Sequence, residues 1–180
     1  MKTMLICFLT FFVSTAKVPG KITLKADKTE SSITYHCVHP LHEWDGVNKN
    51  VICVMSYQDS SNVIERVAML AKVADFDTQN SNRDSHALEV LDGIKYPNVT
   101  FSSTSIVADG KHLKVSGNLT FHNETRPISF DAQREDADKK ITVTGNFSVL
   151  LSDYKIARPS FMLKDMDDKM GLAFVMVFHR

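Results

Sequence analysis

The chain has 180 residues, and its 21 basic and 21 acidic side chains cancel to a formal net charge of zero. That balance, with no basic stripe, argues against nucleic acid as a partner. With 43% hydrophobic residues and only three cysteines, stability must come from a buried core and not from a disulfide scaffold.

The first sixteen residues read as a secretory leader. Lys2 supplies the positive start, Met4 to Val13 the apolar run, and Ser14 and Ala16 the small residues before a cleavage point. The run is short for a spanning helix. Cys7 sits too early to be a lipoprotein acylation site. Residues 17–180 would then form one domain, and no later apolar run is long enough to give it a stable membrane span.

Three strands are predicted in the first half: Ser32–Val38, Val51–Tyr57 and Val63–Val73. Asn80–Leu91 is the best helix candidate, closed by Gly93 and then Pro97. The second half alternates with period two, the mark of half-buried strands. Leu113, Val115, Leu119 and Phe121 share one face with Gly117. Ile128, Phe130 and Ala132 repeat the pattern, as do Ile141, Val143, Phe147 and Val149 with Gly145. Asp109-Gly110 and the polar run Glu135–Lys139 are the expected turns. Leu172–Phe178 is apolar on both faces, which suits a strand covered on its outer side or lying at a seam. The sum is an all-β domain, an eight-stranded antiparallel barrel with one or two short helices, since closure removes exposed edges. Gly117 and Gly145 on inward faces either relieve bending or leave volume for something else.

His36, His39 and His42 recur every three residues beside Glu43, donors that suit zinc or copper. Pro40 excludes the helix that would align them, and the competing reading is a loop of imidazoles bonding backbone or facing water. Asp84-Ser85-His86 contains triad residue types, but neighbours on a helix point apart and form no relay. No catalytic constellation and no cofactor motif stands out, so the chain reads as non-enzymatic. Ser152–Met170 mixes Tyr154, Ile156, Met162, Leu163 and Met166 with charges, which fits either a mouth lid or a packed connection. Sequons at Asn98, Asn118, Asn123 and Asn146 would matter only in a eukaryotic secretory route.

The run Phe76-Asp77-Thr78-Gln79-Asn80-Ser81-Asn82-Arg83-Asp84, the Tyr96-Pro97 that opens a strand, Gly117-Asn118-Leu119-Thr120 and His122-Asn123-Glu124-Thr125 together resemble the YceI-like family. Asn123 departs from that pattern, and His36–Gly46 is more polar and histidine-rich than the usual opening. The resemblance implies an elongated lipocalin-like barrel, periplasmic or secreted, that holds a polyisoprenoid or other long-chain amphipathic lipid. On that expectation the ligand wall is Leu113, Val115, Leu119, Phe121, Ile128, Phe130, Val143, Phe147, Phe174 and Met176. A polar head would sit at the mouth, near the histidine-rich loop or Arg158. A metal- or haem-associated module built on His36, His39 and His42 is the alternative. Cys37 and Cys53 either form a disulfide, if their strands pair around Asp45-Gly46, or stay as two thiols; the family's usual connection there is not a tight hairpin.

Overall fold

A computed structural model describes residues 20–180; the leader expected over residues 1–16 lies outside the described residues. Twelve strands run in chain order: β1 Lys21–Lys25, β2 Ser32–His39, β3 His42–Asn48, β4 Ile52–Gln58, β5 Val63–Lys72, β6 Asn98–Asp109, β7 His112–Phe121, β8 Glu124–Ala137, β9 Lys140–Leu150, β10 Ser160–Phe161, β11 Lys164–Asp165 and β12 Lys169–His179. Ten of them make one antiparallel sheet in the order β1-β4-β5-β6-β7-β8-β9-β12-β2-β3, and β10 and β11 form a separate small hairpin. The expected count of eight therefore rises to ten in the main sheet.

The sheet curls into a half-barrel around the inward faces read from the alternation. Two irregularities deepen the curl, one where β4 meets β5 at Ser56–Tyr57 and one where β6 meets β7 at Ser103–Ser105. Isolated bridges stitch its edges. Ala26 pairs with Phe178 of β12, and Val47 of β3 pairs with Asp77 beyond β5. β12 lies between β9 and β2, and its outer side is partly covered: Val177 N–H donates to the buried Ser31 hydroxyl at 3.0 Å. The cover reaches only Val177, since Ala173 and Val175 on the same side stay exposed.

The turns follow local chemistry. Gly110 takes φ +59° at the β6–β7 turn, as Asp-Gly predicts. The β8–β9 turn is tighter than expected. Glu135, Asp136 and Ala137 belong to β8, paired with Thr142, Ile141 and Lys140, which leaves Asp138-Lys139 as the loop. Polar side chains misled the prediction because Asp136 is held by Arg134, at 2.8 Å to Nε, and not by water alone.

Helix α1, Ser81–Val90, begins where predicted. The Asn80 side chain accepts the Arg83 N–H at 3.2 Å, a side-chain cap on the first turn. Asp84 accepts both the N–H and the hydroxyl of Thr78, at 3.1 and 2.6 Å, fixing how the chain enters the helix. Gly93 N–H closes the helix on the Leu88 carbonyl at 2.8 Å.

Candidate functional site

The half-barrel encloses an apolar cavity of about 250 Å³. Leu113, Val115, Leu119 and Phe121 of β7, Phe130 of β8, Val143 and Phe147 of β9, and Phe174 and Met176 of β12 line it, as the shared-face reading expects. Ile128 does not. It is half-buried and packs against the core, but β8 pairs with β9 only from Ala132 onward, and the part of β8 before Phe130 turns away from the lumen. The opposite wall, from Met55, Val67, Met69, Phe101 and Ile106, lies on β4, β5 and β6, and the two irregularities interrupt the alternation of β5 and β6.

The inward glycines are occupied from across the sheet. A Cβ on Gly117 would meet the Phe101 ring at 2.5 Å, and one on Gly145 would meet the Phe174 ring at 2.7 Å. Each glycine lets a neighbouring ring lie flat over the backbone and leaves the lumen wide. The rings continue across the wall. Phe130 stacks on Phe147 at 4.8 Å between centroids, and Phe101 and Phe174 flank Phe130 at 5.6 Å each.

One end of the cavity is sealed. The lumen stops at Leu113, Ala132 and Phe178, and beyond it Tyr57 and Ile141 are fully buried. Arg134 closes this end. Its guanidinium donates to the Asn62 carbonyl at 2.8 Å, to the Asn62 side chain, and to both Asp136 oxygens at 2.8 and 2.9 Å. Tyr57 O–H donates to the same Asn62 side chain and accepts from Arg180 at 3.0 Å. Each of the three guanidinium nitrogens of Arg134 thus has an acceptor, which offsets the cost of burying its charge.

The other end is the mouth, spanned by α1. The charged side chains in the cavity wall, Arg83 and Asp84, and the His86 imidazole all come from this helix. Arg83 lies over the Trp44 ring at 5.3 Å, and Trp44 stacks on His42 at 5.2 Å. The segment between β9 and β12 proves to be a packed connection with a projecting tip. Tyr154, Ile156, Met166 and Met170 are buried, whereas Met162 and Leu163 stand in solvent. Arg158 does not reach the cavity wall; it donates to the Met166 carbonyl at 3.4 Å and faces Asp165.

The three spaced imidazoles do not converge. His36 Nδ1 meets Asp45 at 2.7 Å on the outer face, His39 is buried against the Lys164 carbonyl at 3.1 Å, and His42 turns to Trp44. Among the described residues, only Asp27, Glu30 and His179 bring three metal-type donor atoms together. The metal or haem module expected as the alternative lacks its geometry. Pro40 turns the chain between β2 and β3, and His39 pairs with His42 across that turn.

Cys37 and Cys53 are free and buried. Their strands are not partners, since β2 sits between β12 and β3 and β4 sits between β1 and β5. Both line the cavity, and burial pushes each thiol up to about 12, so the wall stays uncharged. Asp84, Ser85 and His86 form no relay: Asp84 is engaged by Thr78, and Ser85 and His86 are exposed.

A sequence profile of the YceI-like domain matches residues 12–178. Protein YceI of Escherichia coli O157:H7 is 24% identical over 125 residues, which cover 68% of this chain and 65% of that protein, so the match spans just under two thirds of the relative. Protein YceI of Salmonella newport aligns to the same extent, 24% over 125 residues. Among solved structures, Burkholderia cenocepacia BcnA superposes with a TM-score of 0.76 at 17% identity, over 84% of this chain and 98% of that one. A polyisoprenoid binding domain from Saccharophagus degradans gives 0.68 at 12% identity, over 87% and 97%. The Campylobacter jejuni YCEI protein gives 0.62 at 19%, over 100% and 99%. Likeness at these identities establishes the shared fold.

Proposed function

The chain belongs to the YceI-like domain family, and from that premise we propose that it is a non-catalytic carrier that holds an isoprenoid or similar long-chain lipid inside the curled sheet. One observation carries the reading: an apolar cavity runs inward from α1 to the Arg134 seal, with its charged lining confined to the mouth. An amphipathic chain fits that polarity with its tail inside and its head at Arg83 and His86. Each methylene taken from water contributes about 0.8 kcal/mol. The flat faces of Phe130, Phe147 and Phe174 suit planar alkene units along the tail. The polyisoprenoid binding domain of Saccharophagus degradans, which shares the fold, supports the same ligand class.

The carrier works outside the cytoplasm, in the periplasm or as a secreted protein, once a leader ending at Ala16 is removed. N-terminal sequencing of exported protein should start at or near Lys17; a retained Met1 would refute export by this leader.

The carrier reading is tested by native mass spectrometry of protein purified from its own host, followed by delipidation and titration with a polyprenol. A stoichiometric lipid adduct and saturable rebinding are expected. Protein that carries no adduct and takes up no prenyl chain after delipidation is no lipid carrier.

A further inference from the structure

Of the large hydrophobic side chains that the described residues expose, the two most exposed are Leu163, at 102%, and Ile94, at 101%. Both sit at the mouth end. Leu163 is at the tip of the β10–β11 hairpin, which is tied to the β2–β3 turn: His39 bonds the Lys164 carbonyl, and Asp167 N–H donates to the Val38 carbonyl at 2.9 Å. Leu41, also exposed, occupies that β2–β3 turn, and Met162 shares the hairpin tip. Ile94 follows α1 on another part of the rim. Its neighbour Tyr96 packs edge-on against His122 at 4.7 Å, and His122 bonds the Tyr154 carbonyl of the same β9–β12 connection at 3.1 Å.

Single exposed aliphatics are ordinary on a protein surface, but here four exposed large apolar side chains, Leu41, Ile94, Met162 and Leu163, stand on the rim of one apolar cavity. The hairpin tip adds a second oddity. Met162 and Leu163 hold φ of +51° and +62°, in a two-residue turn that ordinarily takes Asn-Gly. Water and backbone both disfavour these residues there, so the tip carries strain that the fold alone does not call for. The anchors are separate tips and not a continuous groove. A folded partner would need matching shape at each, whereas fluid acyl chains need none. Each fully exposed aliphatic is also followed by a lysine, in Ile94-Lys95 and Leu163-Lys164, placing cations at the depth where anionic headgroups lie.

We propose that the mouth end docks on a lipid bilayer surface, with Leu163, Met162, Leu41 and Ile94 entering the boundary between headgroups and acyl chains. The proposal rests on the lipid-carrier reading and deepens it: the lumen opens directly onto the membrane, so a long-chain lipid passes between bilayer and cavity without crossing water.

The test is co-flotation of the full chain with phosphatidylcholine vesicles, with and without phosphatidylglycerol, together with quenching of Trp44 by brominated lipid. Trp44 is the sole tryptophan and stacks on His42 at the same end. The parent chain should float, more strongly with phosphatidylglycerol, and Trp44 should be quenched. Leu163→Asp combined with Ile94→Asp should weaken partitioning at least tenfold. Val107→Asp, on the exposed outer face of β6 near the sealed end, should leave it unchanged. Unimpaired flotation of the double variant would overturn the proposal and assign the attachment to another segment. A concentration-dependent dimer abolished by Leu163→Asp, without vesicle binding, would overturn it in favour of a second copy. Uptake of an apolar fluorescent naphthylamine in vesicle-free solution reads the cavity alone. Dye uptake without flotation sinks the docking proposal and leaves the carrier reading standing, whereas loss of both sinks the carrier reading.

Discussion

Leu119→Trp separates a ligand lumen from an ordinary core. Leu119 is 3% exposed, lies opposite Phe101 in the β6–β7 pair and faces the cavity. In a close-packed interior, an indole in place of an isobutyl group overpacks its neighbours and costs about 1–3 kcal/mol. Here the added ring has a lumen of about 250 Å³ to enter, so the steric penalty should shrink, offset further by the apolar area the indole buries. We expect a net loss below about 1 kcal/mol, read as a small fall in the urea midpoint at unchanged slope. The same ring blocks the tube between mouth and seal, so prenyl binding should fall at least tenfold. Equilibrium urea unfolding and a polyprenol titration on the same delipidated sample measure both quantities. A variant destabilised by about 3 kcal/mol that still binds normally would refute the reasoning on both counts.

Gly145→Ala should cost about 1–3 kcal/mol because the new methyl lands 2.7 Å from the Phe174 ring and 3.1 Å from the Asp131 carbonyl; adding Phe174→Leu should recover part of it, and absence of that coupling in urea unfolding would contradict the ring-over-glycine packing. Arg134→Met should destabilise by about 2–4 kcal/mol, since it strands the Asn62 carbonyl and Asp136 at the sealed end. The Arg134 hydrogen bond holds the Asp136 carboxyl below its ordinary value, so its contribution is complete above about pH 3.9 and is lost as pH falls through the lower native value; the acid limb of the stability curve should flatten in Arg134→Met. Cys37 and Cys53 should resist a thiol reagent at pH 8 until the chain unfolds, as mapped by peptide mass, and rapid native labelling would show that the wall is open to water.

Where each residue faces was readable along β7 and β9, because an unbroken period of two states which side chains share a face. It was not readable where pairing stops. Ile128 has the correct phase with Phe130, yet β8 leaves β9 before reaching it, and such a splay is set by contacts distant in sequence, including Arg126 Nε to the Asp153 carbonyl at 2.9 Å. β3 was missed because His42–Asn48 is polar and carries Gly46; the signal lay in Tyr35, whose ring covers that glycine from the paired strand. β1 has only five residues, and it persists because Leu24 is buried in the core opposite Met55. The cavity's second wall was hidden for a related reason. Bulges at Ser56–Tyr57 and Ser103–Ser105 shift the phase of β5 and β6 partway along, so a fixed alternation loses the inward face.

The seal at Arg134 makes the lumen a blind alley, which sets the order of traffic. A chain in a tube with one opening enters tail first and leaves head first, and an arriving molecule has no way to push the resident out from behind. Exchange must therefore wait for spontaneous departure. The release rate measured with excess competitor should equal the rate measured by dilution, whatever the competitor's concentration.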